Sequence, residues 1–98
     1  MEISSLAVLG AGQMGAGIAQ VAACSGIPVV MIDIKQEYLD RGFSGMEKSL
    51  SKLVSKGRMT QEEAQSAINL VSTSISRDSA SDADLVIEAI PEVLDLKI

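Results

Sequence analysis

Residues 8–17, "VLGAGQMGAG", place four glycines in ten positions between a short apolar run and a segment patterned as a helix. Glycine loses more conformational freedom on folding than any other residue, so such a cluster needs a reason in the backbone or in what approaches it. The preceding "SSLAVL", residues 4–9, reads as a buried parallel strand that ends at the glycines. The following "QMGAGIAQVAACS", residues 13–25, repeats Met14, Ile18, Val21 and Ala22 at helical spacing, and Gly26 stops it as a C-terminal cap. Strand, glycine turn and helix together commit the first quarter of the chain to the start of a βαβ unit.

The rest of the sequence continues that alternation. "PVVMID", residues 28–33, is a second buried strand, with Pro28 tolerated at its first position. Over residues 36–56, Leu39, Phe43, Met46, Leu50, Leu53 and Val54 recur every three or four positions, as on the inner face of a helix. Gly42 and Gly45 interrupt this helix and predict a kink or loosened turn; Gly57 ends it. Thr60 and Glu63 in "TQEE" have the spacing of a capping box, opening a short helix to about residue 68. "VSTSI", residues 71–75, is a weak strand and "DADLVIEA", residues 82–89, a strong one. Pro91 stands at a first helical position, so "EVLDLKI" begins a further helix. The order β-α-β-α-α-β-β-(α) predicts an α/β fold: a Rossmann-type doubly wound parallel sheet, truncated after its fourth strand. Residues 1–98 then form one domain, with the rest of the sheet and any further domain lying outside it.

Composition narrows the function. The 98 residues are 47% hydrophobic and carry a net charge of −5, which fits a globular domain and argues against a general nucleic-acid or anionic-membrane binder. One cysteine and no histidine leave no disulfide framework or thiolate-imidazole metal cluster, which suggests a reducing, cytoplasmic setting. Cys24 itself reads as a small buried helix residue. The apolar start could resemble a secretion signal, but Glu2 has the wrong sign for its basic leader.

Gly10, Gly12 and Gly15 satisfy G-x-G-x-x-G, and Asp33 ends the second strand 18 residues after Gly15. In this context Gly10 allows the tight turn, Gly12 lets backbone approach a pyrophosphate, and Gly15 lets helix and strand pack closely. The first helical N–H groups then point at the phosphates. The expected ligand is a dinucleotide, cradled by Gly10, Ala11, Gly12, Gln13, Met14 and Gly15. Asp33 accepts from the ribose hydroxyls and repels a 2′-phosphate, so NAD is favoured over NADP, although Lys35 lies close by. The competing reading is a glycine turn and a capping Asp without a nucleotide.

The longer strings "GAGQMGAGIAQ" and "VIEAIPE", the latter followed by Lys97 five residues beyond Glu92, are more specific than the fingerprint. Essentially the whole chain resembles the N-terminal domain of the 3-hydroxyacyl-CoA dehydrogenases, which oxidise the 3-hydroxyl of an acyl-CoA and pass hydride to NAD. The resemblance implies that Ala89, Glu92 and Lys97 line the nicotinamide half of the cofactor, with Glu88 a weaker candidate. Without it, Glu88 and Glu92 are ordinary acids at a helix entry. Lys48, Lys52, Lys56 and Arg58 gather within 11 positions, and Ser49, Lys52 and Lys56 share a helical face. By the same resemblance Ser49 and Lys56 contact coenzyme A; on residues alone this is a solvated basic face.

Oxidation of a secondary alcohol needs a base for the hydroxyl proton, and histidine, the usual choice, is missing. Tyr38, Cys24 and the lysines are conceivable substitutes, but nothing in the sequence places them beside a nicotinamide. The family's catalytic histidine and glutamate, and its substrate-holding serine and asparagine, lie downstream of residue 98, so no catalytic residue is expected in this chain. The expectation is a cofactor-binding portion, inactive alone, of a homodimeric enzyme acting on acyl-CoA. Two alternatives stay open: a hydroxy-acid or sugar-acid dehydrogenase with the same fingerprint, and a nucleotide-binding relative without turnover.

Overall fold

The computed structural model describes residues 4–89. Strand β1 (Leu6–Leu9) leads through the glycine turn into helix α1 (Gln13–Cys24), and β2 (Val29–Ile32) follows. Two helices, α2 (Gln36–Ser55) and α3 (Gln61–Asn69), connect β2 to β3 (Val71–Ser74), and a 3₁₀ turn at Arg77–Ala80 precedes β4 (Leu85–Glu88). The strands are all parallel and lie in the order β3-β2-β1-β4. The chain builds outward from β1 to β3, then crosses back to place β4 on the other side of β1. Such a reversal opens a crevice at the carboxyl ends of the two central strands, where open α/β sheets bind ligands.

Period-two alternation assigns each face of the sheet. Leu6 and Val8 of β1, with Val29 and Met31 of β2, pack against α1, α2 and α3, where Ala19, Leu39, Met46, Leu50 and Ala64 complete the main core. Met31, Leu39, Met46, Leu50 and Val8 are fully buried, each stabilising the fold by roughly 1.5–3 kcal/mol through transfer from water. Ala7, Leu9 and Ile32 point the other way and meet Ala80 and Ala83 around the 3₁₀ turn.

Four local expectations change. On α1 the buried residues are Gly15, Ala19, Ala22 and Ala23, whereas Met14 and Val21 are exposed. Small residues let this helix lie close to the sheet, and the longer apolar side chains are turned outward. Cys24 is likewise exposed at the end of α1, not buried. Helix α2 runs unbroken through Gly42 and Gly45. Gly42 serves a close approach: a Cβ there would collide with the carbonyl oxygen of Ala11, so its glycine admits the turn to the helix surface. The strand expected over 82–89 is regular only at Leu85–Glu88; just before it, the Asp84 carboxylate accepts from the Ser4 N–H at 2.6 Å. The helix expected after Pro91 lies outside the described residues.

Candidate functional site

The crevice at the switch point contains a cavity of about 1000 Å³. The glycine turn, the first two turns of α1, the end of β2 and one side of α2 form its walls, with Ile75 and Arg77 beyond β3. Each part has a local cause. Gly10 adopts φ 113°, a conformation that L side chains rarely take, and this turns the chain sharply out of β1. The Gly10 N–H donates to the Ile32 carbonyl at 2.7 Å, holding the turn against the end of β2. A Cβ on Gly15 would collide with the Gly10 carbonyl, so the third glycine permits the helix to start directly above the turn. Gly12 differs: its φ is −71°, and a Cβ there would meet no protein atom within 4 Å. The fold does not require its missing side chain, and its bare backbone lines the cavity.

No side chain caps the N-terminus of α1 and no acid lies in its first turn. The leading N–H groups of a helix have no intrahelical partners and carry the positive end of its dipole. Here the helix begins at Gly12 and Gln13, which line the cavity, an arrangement suited to a diphosphate.

Asp33 stands across the turn. Its Oδ2 accepts from the Ala11 N–H at 2.9 Å and its Oδ1 from the Ile34 N–H at 2.7 Å. An ionised carboxylate has about four acceptor positions. Two are engaged by backbone, which fixes the group, and about two remain for a pair of vicinal hydroxyls. Lys35 is exposed and lies with its Nζ 5.6 Å from the Tyr38 ring centroid. The cationic side chains on the cavity wall are Arg41, held by Glu37 at 3.2 Å, and Arg77.

The structure brings Gly10, Ala11, Gly12, Gln13 and Asp33 to one cavity, together with Ser49 from the middle of α2. Met14 projects outward, and Gly15 acts from beneath the turn. Lys56 caps the far end of α2 and, like Lys52, is exposed and away from the cavity wall. Ala89 is buried just past β4, its N–H donating to the Leu9 carbonyl at 2.8 Å, so it sits beside the end of β1. Glu88 is an exposed residue 3.9 Å from Arg77. Glu92 and Lys97 lie outside the described residues. Sequence reasoning missed Gly42, Gln20, Ile34 and Arg41 as cavity-wall residues. Only Gly42 left a signal, as a helix-weakening residue with no visible purpose.

The profile described as "3-hydroxyacyl-CoA dehydrogenase, NAD binding domain" matches residues 5–98. This chain belongs to the 3-hydroxyacyl-CoA dehydrogenase family, as its NAD-binding domain. It is 46% identical over 92 residues to a probable 3-hydroxybutyryl-CoA dehydrogenase of Bacillus subtilis, covering 94% of this chain and 32% of that protein. A fatty acid oxidation complex subunit alpha of Psychrobacter arcticus is 42% identical over 93% of this chain and 13% of its own length. Among solved structures, (S)-3-hydroxybutyryl-CoA dehydrogenase from Ralstonia eutropha superposes with a TM-score of 0.90 at 37% identity, over 93% of this chain and 32% of that one. The chain thus spans about a third of the length of its 3-hydroxybutyryl-CoA dehydrogenase relatives. The cofactor of the domain is NAD. Among the described residues no helix is long and apolar enough to cross a membrane.

Proposed function

We propose that this domain holds NAD with its pyrophosphate over the Gln13–Gly15 N–H groups and its adenosine ribose on Asp33, within a cytoplasmic, homodimeric enzyme that oxidises 3-hydroxyacyl-CoA. The observation that carries this reading is the pairing of an uncapped α1 with a carboxylate fixed across the turn. Bound there, the nicotinamide would accept the hydride removed from the substrate's 3-carbon. The chain's own residues bind and orient: Gly12 admits the diphosphate, Asp33 fixes the ribose, and Ala89, Glu92 and Lys97 border the nicotinamide end. Ser49 and Lys56 hold coenzyme A on α2. Residues 1–98 form one NAD-binding unit, and the base that takes the hydroxyl proton is supplied from outside it, since the sequence has no histidine. Neither nucleic acid nor a membrane is a partner in this reading.

Calorimetric titration of the chain with NAD and NADP tests the cofactor assignment. NAD is expected to bind at least about tenfold more tightly, from the repulsion between Asp33 and a 2′-phosphate, and Asp33→Ala to narrow that gap. Equal affinity for the two cofactors would refute the role given to Asp33. Addition of a 3-hydroxyacyl-CoA with NAD should produce no NADH from the chain alone; sustained turnover would place the base within these residues.

A further inference from the structure

The cavity continues along α1 past the glycine turn to Gln20, where the Gln20 Nε2 donates a hydrogen bond of 3.1 Å to the Ser49 Oγ of α2. Eight residues of helix separate Gly12 from Gln20, about 12 Å at 1.5 Å per residue. Both partners are half-buried and both line the cavity. Between them and the turn lie Gly17 and Gly45, at each of which a Cβ would meet no protein atom within 4 Å. Between the turn and this pair, α1 contributes Ala16 and Gly17 to the lining and α2 contributes Gly42, Gly45 and Met46, none with a polar side chain.

We infer that Gln20 is a positioning residue for the coenzyme A moiety of the substrate, fixing Ser49 as a hydrogen-bond donor. This rests on the acyl-CoA reading above. A serine hydroxyl has one hydrogen and two acceptor lone pairs, and its rotor turns to suit its surroundings. An amide N–H delivered to the oxygen occupies one lone pair and directs the hydroxyl hydrogen elsewhere. Among the described residues Ser49 has no other side-chain hydrogen bond, so that hydrogen is available to the cavity. A donor there selects an acceptor on the ligand, such as a phosphate or amide oxygen of coenzyme A, and disfavours a ligand that offers only donors. The amide also polarises the hydroxyl, strengthening the bond it gives. Gln20 acts through Ser49, and its own contact with ligand is not required.

The test is a double-mutant cycle on the chain, titrated with coenzyme A at saturating NAD. Ser49→Ala and Gln20→Leu are each expected to weaken coenzyme A binding about five- to tenfold, and the double variant no more than either alone. Gln20→Glu keeps the shape but turns a donor into an acceptor, drawing the Ser49 hydrogen to itself. It should weaken binding more than Gln20→Leu, and most of that excess should vanish in the Ser49→Ala background. The unfolding midpoint should fall slightly and by the same amount in Ser49→Ala and Gln20→Leu, which lose the same helix–helix hydrogen bond. NAD affinity should change less than coenzyme A affinity, separating a positioning role from a packing one. Wild-type-like coenzyme A affinity in Gln20→Leu, alongside weakened binding in Ser49→Ala, would overturn the inference. So would losses that multiply in the double variant. Failure of the wild-type chain to bind coenzyme A while binding NAD would instead remove the acyl-CoA reading, and this inference with it.

Discussion

Helix α3 closes its own N-terminus, whereas α1 leaves its N-terminus open. The Thr60 Oγ1 accepts from the Glu63 N–H at 3.0 Å and a Glu63 carboxylate oxygen accepts from the Thr60 N–H at 2.9 Å, so the first turn of α3 satisfies itself. Acids at Glu62 and Glu63 also answer the dipole. At α1 the cap is Gly12, with no side-chain oxygen and no acid behind it. Both helices pack on the same face of the sheet, so the difference does not come from burial. One helix starts on the surface and completes its hydrogen bonds locally; the other starts at the crevice with no side-chain cap.

That contrast can be broken hardest at Gly15. A valine there must displace the Gly10 carbonyl, and destabilisation on the order of 3 kcal/mol or more is expected, with loss of NAD binding; chemical denaturation measures the first and calorimetry the second. Gly12→Ala sharpens the comparison, because a methyl at Gly12 meets no protein atom. Its unfolding midpoint should match the wild type, while NAD affinity falls on the order of 30-fold, about 2 kcal/mol. An unchanged affinity would mean that the ligand does not lie on this backbone. Asp33→Ala removes the acceptor opposite α1 and should weaken NAD about tenfold, read in the same titration. At the closed helix the pattern inverts. Thr60→Ala should lower stability by about 1 kcal/mol and leave NAD affinity untouched. The smallest effect belongs to the exposed Arg77–Glu88 pair, 3.9 Å apart: Glu88→Gln should shift stability by less than about 0.5 kcal/mol. A larger shift would show that β4 depends on this contact.

Much of the fold was legible because its signals are local. The capping box at Thr60 and Glu63, the glycine spacing and the β-branched run at residues 28–33 each act within a few residues of backbone, and each formed where expected. Gly42 was misread for the opposite reason. Within its own helix it looks like a weakness, and only the approach of Ala11, 31 positions earlier in the sequence, gives it a purpose. The outward turn of Met14 and Val21 was hidden similarly, since hydrophobicity alone does not say that the buried positions of α1 lie so close to the sheet that glycine and alanine fill them. At the site, Gly10, Gly12, Gly15 and Asp33 were readable as a spaced motif. Gln20 and Ser49, on different helices, were not readable as a pair.

The sequence by itself determined the order of strands and helices, the conformation of the glycine turn, the bare start of α1 and the carboxylate that answers it. These depend on backbone sterics and on side chains acting within a turn or two of their own position. Only the tertiary structure decided which helix faces are buried, which glycines serve the fold and which leave room for a ligand. It also decided that α2 would bring Ser49 to Gln20. Those outcomes depend on how closely separate elements approach one another, a distance set jointly by all the side chains between them.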